Sequence, residues 1–422
     1  MALTVSDVHA LEILDSRSRP TLAVTLRTAS GAELRAGVPS GASTGSREAV
    51  ERRDGDTSRF NGLGVQGAVE AVNGEILEAL RGRSFGDLAE LDETLIALDG
   101  TQDKSRLGAN AIVGVSMAAA RAFAASEGIP LWRSFVGRVG PARLPVPHFN
   151  VVNGGVHASN ELDFQEFMLA PLGAPNAAAA VRAGSEIYTA LRRLLAERSM
   201  SVGLGDEGGF APEISAPEAV LSLLVEAVDK AGYSAGRSGV AIAIDPASSE
   251  FYADGVYHVA GEKLSSDDMI ERYSAMVDAF PIWLLEDGLS ESDWSGWQKL
   301  TERLGDRIEL VGDDIFCTNP AIISDAISKK VANAALIKVN QIGTVSETIE
   351  AMQVCRGAGY GQFVSHRSGE TEDSFIADLA VGTGCGHIKS GAPARGERVA
   401  KYNRLMEIES AEDLPYGLAY AP

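Results

Sequence analysis

The sequence predicts an α/β protein in two parts: a C-terminal β/α (TIM-like) barrel over residues 145–422, behind a smaller N-terminal α+β domain over residues 1–135. Three observations predict it. From about residue 145 onward, short apolar, β-compatible segments alternate with amphipathic helix patterns, which argues for a parallel sheet buried on both faces. These units number six or more and carry no dinucleotide glycine fingerprint, which favours a closed barrel over an open doubly wound sheet. The first 130 or so residues lack that alternation and read as a separate unit.

In the N-terminal part, "TLAVTLRT" (21–28) and "ELRAGVP" (33–39) form a hairpin pattern around Ala29-Ser30-Gly31. The glycine-rich "SGASTGS" that follows is no P-loop, because no lysine comes after it. "LGANAIVGVSMAAARAFAAS" (107–126) carries small residues almost all round, as a helix packed on several sides requires. "LPVP" (144–147) reads as the linker into the second part.

The barrel strands read as "VAIAID" (240–245), "IWLLED" (282–287), "IELVGDD" (308–314), "AALIKVN" (334–340), "GQFVSH" (361–366) and "GHIKSG" (386–391). Ser215-Ala216-Pro217-Glu218 offers a capping box with proline at the first helical position, before a face of Val220, Leu221, Leu224, Val225 and Val228. Thr344 and Glu347 open a second helix with Val345, Ile349, Met352 and Cys355 as its stripe.

Composition narrows the function classes. The formal net charge is −21 and no basic stripe stands out, so a nucleic-acid partner is not expected. Cys317, Cys355 and Cys385 form neither a zinc pattern nor a disulfide framework and suit a reduced, cytoplasmic protein. No signal-peptide pattern opens the chain and no uninterrupted apolar run approaches a membrane span, so no membrane partner is expected either.

The strand ends carry the chemistry. They are Asp245, Glu286, Asp313, Lys338, His366 and Lys389, and after the first pair the intervals are 27, 25, 28 and 23 residues, each one strand plus one helix. In a β/α barrel these ends face one mouth, where the active site is built. Three converging carboxylates repel one another and raise each other's pKa unless a cation joins them. Oxygen-only ligands point to magnesium over zinc; a salt-bridge cluster with Lys338 and Lys389 is the alternative. Lys338 stands among apolar residues, where a lysine needs a partner. Beside a metal it is a candidate general base; otherwise it neutralises Asp313.

"GLGDEGGFAP" (203–212) adds Asp206 and Glu207, and Glu207 suits a general acid if held protonated, or else a solvated turn. "NGGVHASNELDFQEFM" (153–168) adds His157 behind a glycine flap, with Gln165 and Glu166. "SHRSGET" (365–371) supplies Arg367 and Ser368, a guanidinium and a hydroxyl suited to clamping phosphate.

Taken together, "EILDSR", "PSGASTG", "LGANAI", "NGGVHA", "FQEFM", "GDEGGFAP", "LLEDGL", "VGDD", "IKVNQIG", "SHRSGETED" and "IKSGAPARGERVAKYN" resemble, in order, the bacterial-type enolase family. The resemblance implies magnesium-dependent dehydration of 2-phospho-D-glycerate to phosphoenolpyruvate, a glycolytic step on a small phosphorylated hydroxy acid. It implies two Mg2+ per active site: Asp245, Glu286 and Asp313 hold the first, and Ser40 joins the second when its loop closes. By the same match Lys338 removes the C2 proton and Glu207 protonates the departing hydroxyl, supported by Glu166 and Gln165. Arg367 and Ser368 hold phosphate, His157 and His366 line the site, and Lys389 meets the substrate carboxylate.

The chain departs from the family pattern at Leu11, Ser18, Arg19, Ala23, Asp103 and Glu407. In enolases the charged counterparts of Leu11, Ala23 and Glu407 belong to the dimer contact, so the expectation is a homo-oligomer with an altered interface. Two alternatives stand beside the glycolytic one. A paralogue would run the same half-reaction on a related phospho- or carboxyphospho-glycerate. A non-catalytic binding role, which some enolases serve through C-terminal lysines, is disfavoured by the ending "YGLAYAP" and by the intact metal ligands.

Overall fold

The structure is a computed structural model and describes residues 2–419. The N-terminal part is built on a four-stranded sheet of β1 (Leu3–Leu14), β2 (Pro20–Thr28), β3 (Glu33–Gly37) and β4 (Ser84–Phe85), in the order β3-β2-β1-β4. The β2–β3 pair is the hairpin the sequence predicts, with Ala23 opposite Gly37 and Arg27 opposite Glu33. The helix Ala109–Ser126 lies on this sheet. Gly114 permits the approach, since a Cβ there would stand 2.5 Å from Val24 Cγ2. By length and mean hydropathy (1.2) this helix passes as a membrane span, although Asn110, Ser116 and Arg121 interrupt its apolar run and 83% of it is buried inside the protein.

The second part is a closed barrel of eight strands. They are β5 (Val146–Asn153), β6 (Glu166–Ala170), β7 (Ala241–Asp245), β11 (Ile282–Glu286), β12 (Glu309–Gly312), β13 (Ala334–Ile337), β14 (Gly361–Ser365) and β15 (Gly386–Lys389). A small antiparallel sheet of β8 (Tyr252–Ala253), β9 (Val256–Val259) and β10 (Glu262–Leu264) is inserted after β7 and lengthens that interval.

Three expectations need correction. The sequence pattern missed β5 and β6, and part of the supposed linker 144–147 is already the start of β5. The barrel is not wholly parallel, because β6 runs antiparallel to both β5 and β7. No capping box forms at Ser215: the N-cap is Ala216 without a side-chain bond, and Glu218 is held by Arg272 at 2.9 Å. Pro217 does open that helix, and Thr344 caps the next predicted one by accepting from the Glu347 amide at 3.1 Å.

Strand periodicity then orders the barrel interior in layers. Residues two apart share a face, so Ala243 lies below Asp245, Leu284 below Glu286, Val311 below Asp313, Leu336 below Lys338 and Met168 below Glu166. All five of these lower residues belong to one buried apolar cluster, with Phe363 and Trp283. The charged residues are the uppermost rungs of these ladders. The two parts of the chain are joined by Arg121–Asp373 at 2.6 Å, Lys104–Glu347 at 2.9 Å and the Ser346 amide donating to Asp92 at 3.0 Å.

Candidate active site

Asp245, Glu286 and Lys389 close their strands, while Asp313, Lys338 and His366 stand one residue beyond theirs. Reversal of β6 explains Glu166, which opens its strand yet stands at the same mouth, paired in register with Asp245. All seven are buried.

Two lysines divide the carboxylates. Lys338 donates to Asp313 Oδ2 at 2.5 Å. Lys389 donates to Glu286 Oε1 at 2.8 Å and to both Glu166 oxygens at 3.2 Å, with Asp245 Oδ2 at 3.7 Å. Burial works against each ammonium, but Asp313 raises the Lys338 pKa above its ordinary value, and Glu166, Glu286 and Asp245 raise that of Lys389 well above its own. Glu286 is pushed well up by burial and then by the Asp245 charge. Burial also works against the Asp313 charge, yet Lys338 holds its carboxylate below the usual range.

Asp245, Glu286 and Asp313 therefore do not share one partner: the first two turn to Lys389 and the third to Lys338. Asp313 does bring its oxygen within 4.8 Å of Asp287 and Asp314 oxygens. Asp287 in turn accepts from the Asp313 amide at 2.8 Å and the Asp314 amide at 3.0 Å, which orients that turn. Asp245, Glu286, Asp313, Glu166 and Glu207 outnumber Lys338 and Lys389 at the mouth. This surplus of buried carboxylate, offering only oxygen, fits a hard divalent cation such as magnesium; among the described residues the acids whose oxygens converge on one point around Asp313 are Asp287 and Asp314, not Asp245 and Glu286. His157, Glu166 and Glu207 also converge within 4.8 Å, with Glu166 bonded to Lys389 and Glu207 to Asn150.

On that side Glu207 Oε2 accepts from Asn150 at 2.9 Å and faces His366 Nε2 at 3.3 Å, while Oε1 lies 3.6 Å from His157 Nδ1. Burial, and then the Glu207 charge, pushes Glu166 well above the carboxylate range. Burial acts on Glu207 as well, but His366, His157 and Arg398 hold it well below that range. The two carboxylates of this acid pair are thus pushed in opposite directions, Glu166 up and Glu207 down. Gln165 Nε2 donates to Asp245 Oδ2 at 3.3 Å.

Ala42 and Ser43 of the glycine-rich segment cover the mouth. They line a cavity of about 10 Å³ with His157, Gln165, Glu166, Glu207, Asp245, Lys338, His366, Arg367, Ser368 and Lys389. Arg367 is fully engaged: its Nη1 and Nη2 reach the two Glu48 oxygens at 3.0 and 3.1 Å, and it also donates to Asn340 Oδ1 and Ser43 O. Ser368 accepts from Arg17 at 3.0 Å. Ser40 stands apart from the carboxylate cluster, its hydroxyl donating to Glu51 at 3.1 Å and accepting from Arg53 at 2.9 Å.

Several residues of the site escape sequence reasoning. Gln341 lies three residues past Lys338, a spacing that could have exposed it, and donates to Asp313 Oδ1 at 2.8 Å and to Glu48 at 3.1 Å. Glu48, Arg17 and Arg398 reach the mouth from far along the chain; Arg17 and Arg398 lie within the motifs "EILDSR" and "IKSGAPARGERVAKYN" but carry no assigned role there, and Glu48 lies outside every family motif quoted above.

A closed barrel with two buried lysines set among carboxylates at its C-terminal mouth is the architecture of a TIM-barrel enzyme whose active site is built on its strand ends. Comparison with known families agrees: the enolase N-terminal domain matches residues 5–135, and the enolase C-terminal TIM barrel domain matches residues 141–421. The chain belongs to the enolase family, whose members use Mg2+.

Proposed function

We propose that the protein dehydrates 2-phospho-D-glycerate to phosphoenolpyruvate. One observation carries the reading. Lys338 follows β13 and Glu166 opens β6, and four steps around an eight-strand barrel separate these strands, so they are diametrically opposed. A base and an acid on opposite walls of one cavity suit removal of a proton from one face of a substrate and of hydroxide from the other.

Lys338 takes the proton from C2. That C–H is a very weak acid, because the carboxylate beside it already carries a charge. Lys389 stands where the charge grows and stabilises it. The acid pair Glu166/Glu207, holding one proton, delivers it to the departing 3-hydroxyl, since hydroxide leaves poorly without it. Arg367 and Ser368 hold the phosphate, which replaces Glu48 as the partner of Arg367. Closure of the Ala42–Ser43 segment keeps water out. Asp245, Glu286 and Asp313 would hold a magnesium ion, and Ser40 would reach toward a second; these ions would supply positive charge that offsets the carboxylates, stabilises the charge developing on the substrate and weakens Asp313's hold on the Lys338 proton.

We further propose a cytoplasmic homo-oligomer with an altered contact. Leu11 is 41% exposed and lies opposite Ala23 in the β1–β2 register, and Glu407 pairs with Arg404 of its own helix. The test is the ultraviolet rise from the enol product when protein, magnesium and 2-phosphoglycerate are mixed. Full activity supports the reading. Weak turnover by an intact fold overturns it in favour of a related phospho- or carboxyphospho-glycerate.

A further inference from the structure

We propose that Arg398 is a positioning residue that fixes the tautomer of His366, so that the imidazole presents an Nε2–H to Glu207 and never serves as a proton shuttle. The inference rests on the proposed acid role of the Glu166/Glu207 pair and names what sets its geometry.

Arg398 enters from the first turn of the helix Gly396–Ala411 and is fully buried. A guanidinium has N–H donors and no acceptor, and it does not deprotonate in a protein. Its Nη1 stands 2.5 Å from His366 Nδ1. That nitrogen must therefore be a bare lone pair, and the single ring proton lies on Nε2, 3.3 Å from Glu207 Oε2.

The remaining donors hold the guanidinium in this pose. Nη1 also reaches Arg367 O at 2.7 Å, and Nη2 donates to Ser368 O at 2.5 Å, Asp206 O at 3.2 Å and Ser16 Oγ at 3.1 Å. Nε lies 3.3 Å from Glu397 Oε1. One side chain thus ties the phosphate-clamp loop to the loop that carries Glu207. Gly391 leaves it room, since a Cβ there would stand 2.8 Å from Arg398 Cδ.

The groups facing His366 are Glu207 and Glu370, which favour its charged form, and Arg398, which opposes it. Burial outweighs the two acids and pushes the imidazole down to about 4, in keeping with a fixed neutral ring. A consequence follows for Glu207. Oε2 takes donors from both His366 and Asn150, so any proton Glu207 carries must sit on Oε1.

The test is histidine-selective 15N NMR on the full-length protein, with the His366 signals assigned through His366→Gln. His366 is expected to show an unprotonated Nδ1 and a protonated Nε2 throughout about pH 5–8. In Arg398→Gln the ring is expected to titrate in that window and kcat to fall about 100-fold with a new acid limb, KM changing far less. Arg398→Lys restores part of both. A protonated Nδ1 or a titrating His366 in the unaltered protein overturns the proposal, as does an unchanged tautomer and pH profile in Arg398→Gln. Should that variant not fold, the spectrum of the unaltered protein decides alone. The spectrum needs no substrate, so it stands apart from failure of the dehydratase reading, which shows as absent turnover with the tautomer intact.

Discussion

The barrel buries charge at two depths, and the two are built differently. At the mouth Lys389 is shared among Glu166, Glu286 and Asp245, and Glu207 among Asn150, His366 and His157. Deeper in, two residues below Lys389, His387 Nε2 stands 3.0 Å from Glu309 Oε1, walled by the rings of His148, Trp283 and Phe363. The upper set has more acid than base and answers to a cation and a substrate. The lower set places His387 against Glu309 inside an aromatic box. A third buried charge, Asp92, lies at the seam between the two parts of the chain. The surplus of acid at the mouth marks function, whereas the deep His387–Glu309 contact and Asp92 lie away from the site, and the difference can be tested.

Lys338→Ala should have the largest effect. Exchange of the C2 proton of 2-phosphoglycerate with solvent deuterium is expected to fall about 10⁴-fold, while calorimetry still detects magnesium binding. Retained exchange would remove Lys338 as the base and dissolve the functional contrast.

Asp92→Asn sharpens the structural side. Burial raises the Asp92 pKa from 3.8 to about 6, against hydrogen bonds from Ser346 and Ser116 that oppose the rise. The folded protein thus holds this proton more tightly than the unfolded chain. The stabilisation is complete below about pH 4 and lost as pH climbs through about 6, so the ionised group costs on the order of 3 kcal/mol at pH 7. The asparagine keeps an acceptor for the Ser346 amide. It should raise the melting temperature at neutral pH and leave it unchanged near pH 4; equal gains at both would place the effect elsewhere than in ionisation.

Glu309→Gln should do least. Replacing the acid of the deep pair by an amide of the same shape is expected to cost about 1 kcal/mol in urea unfolding and to leave kcat/KM within about threefold. A large loss of activity would show that the two depths are coupled.

Much of the mouth was legible as spacing. Asp245, Glu286, Asp313, Lys338, His366 and Lys389 recur at strand-plus-helix intervals, and a barrel turns that recurrence into convergence. Glu166 was legible only as a motif residue, because a reversed strand carries functional groups at its start, and no periodicity marks the reversal. The early barrel strands were missed for a related reason: only the single 3-10 turn Gly155–His157, and no α-helix, lies between β5 and β6. The state of the groups was not legible. Burial and neighbours from other elements push Glu166 up and Glu207 down, and no motif encodes that difference.

The sequence by itself determined the barrel class, the tips of its ladders and the family, because apolar alternation and residue type are local properties of the chain. The tertiary structure alone decided the direction of β6, the division of carboxylates between Lys338 and Lys389, the Glu48 partner of Arg367 and the pose of Arg398. These depend on distances between residues up to hundreds of positions apart, and electrostatic coupling follows separation in space rather than separation along the chain.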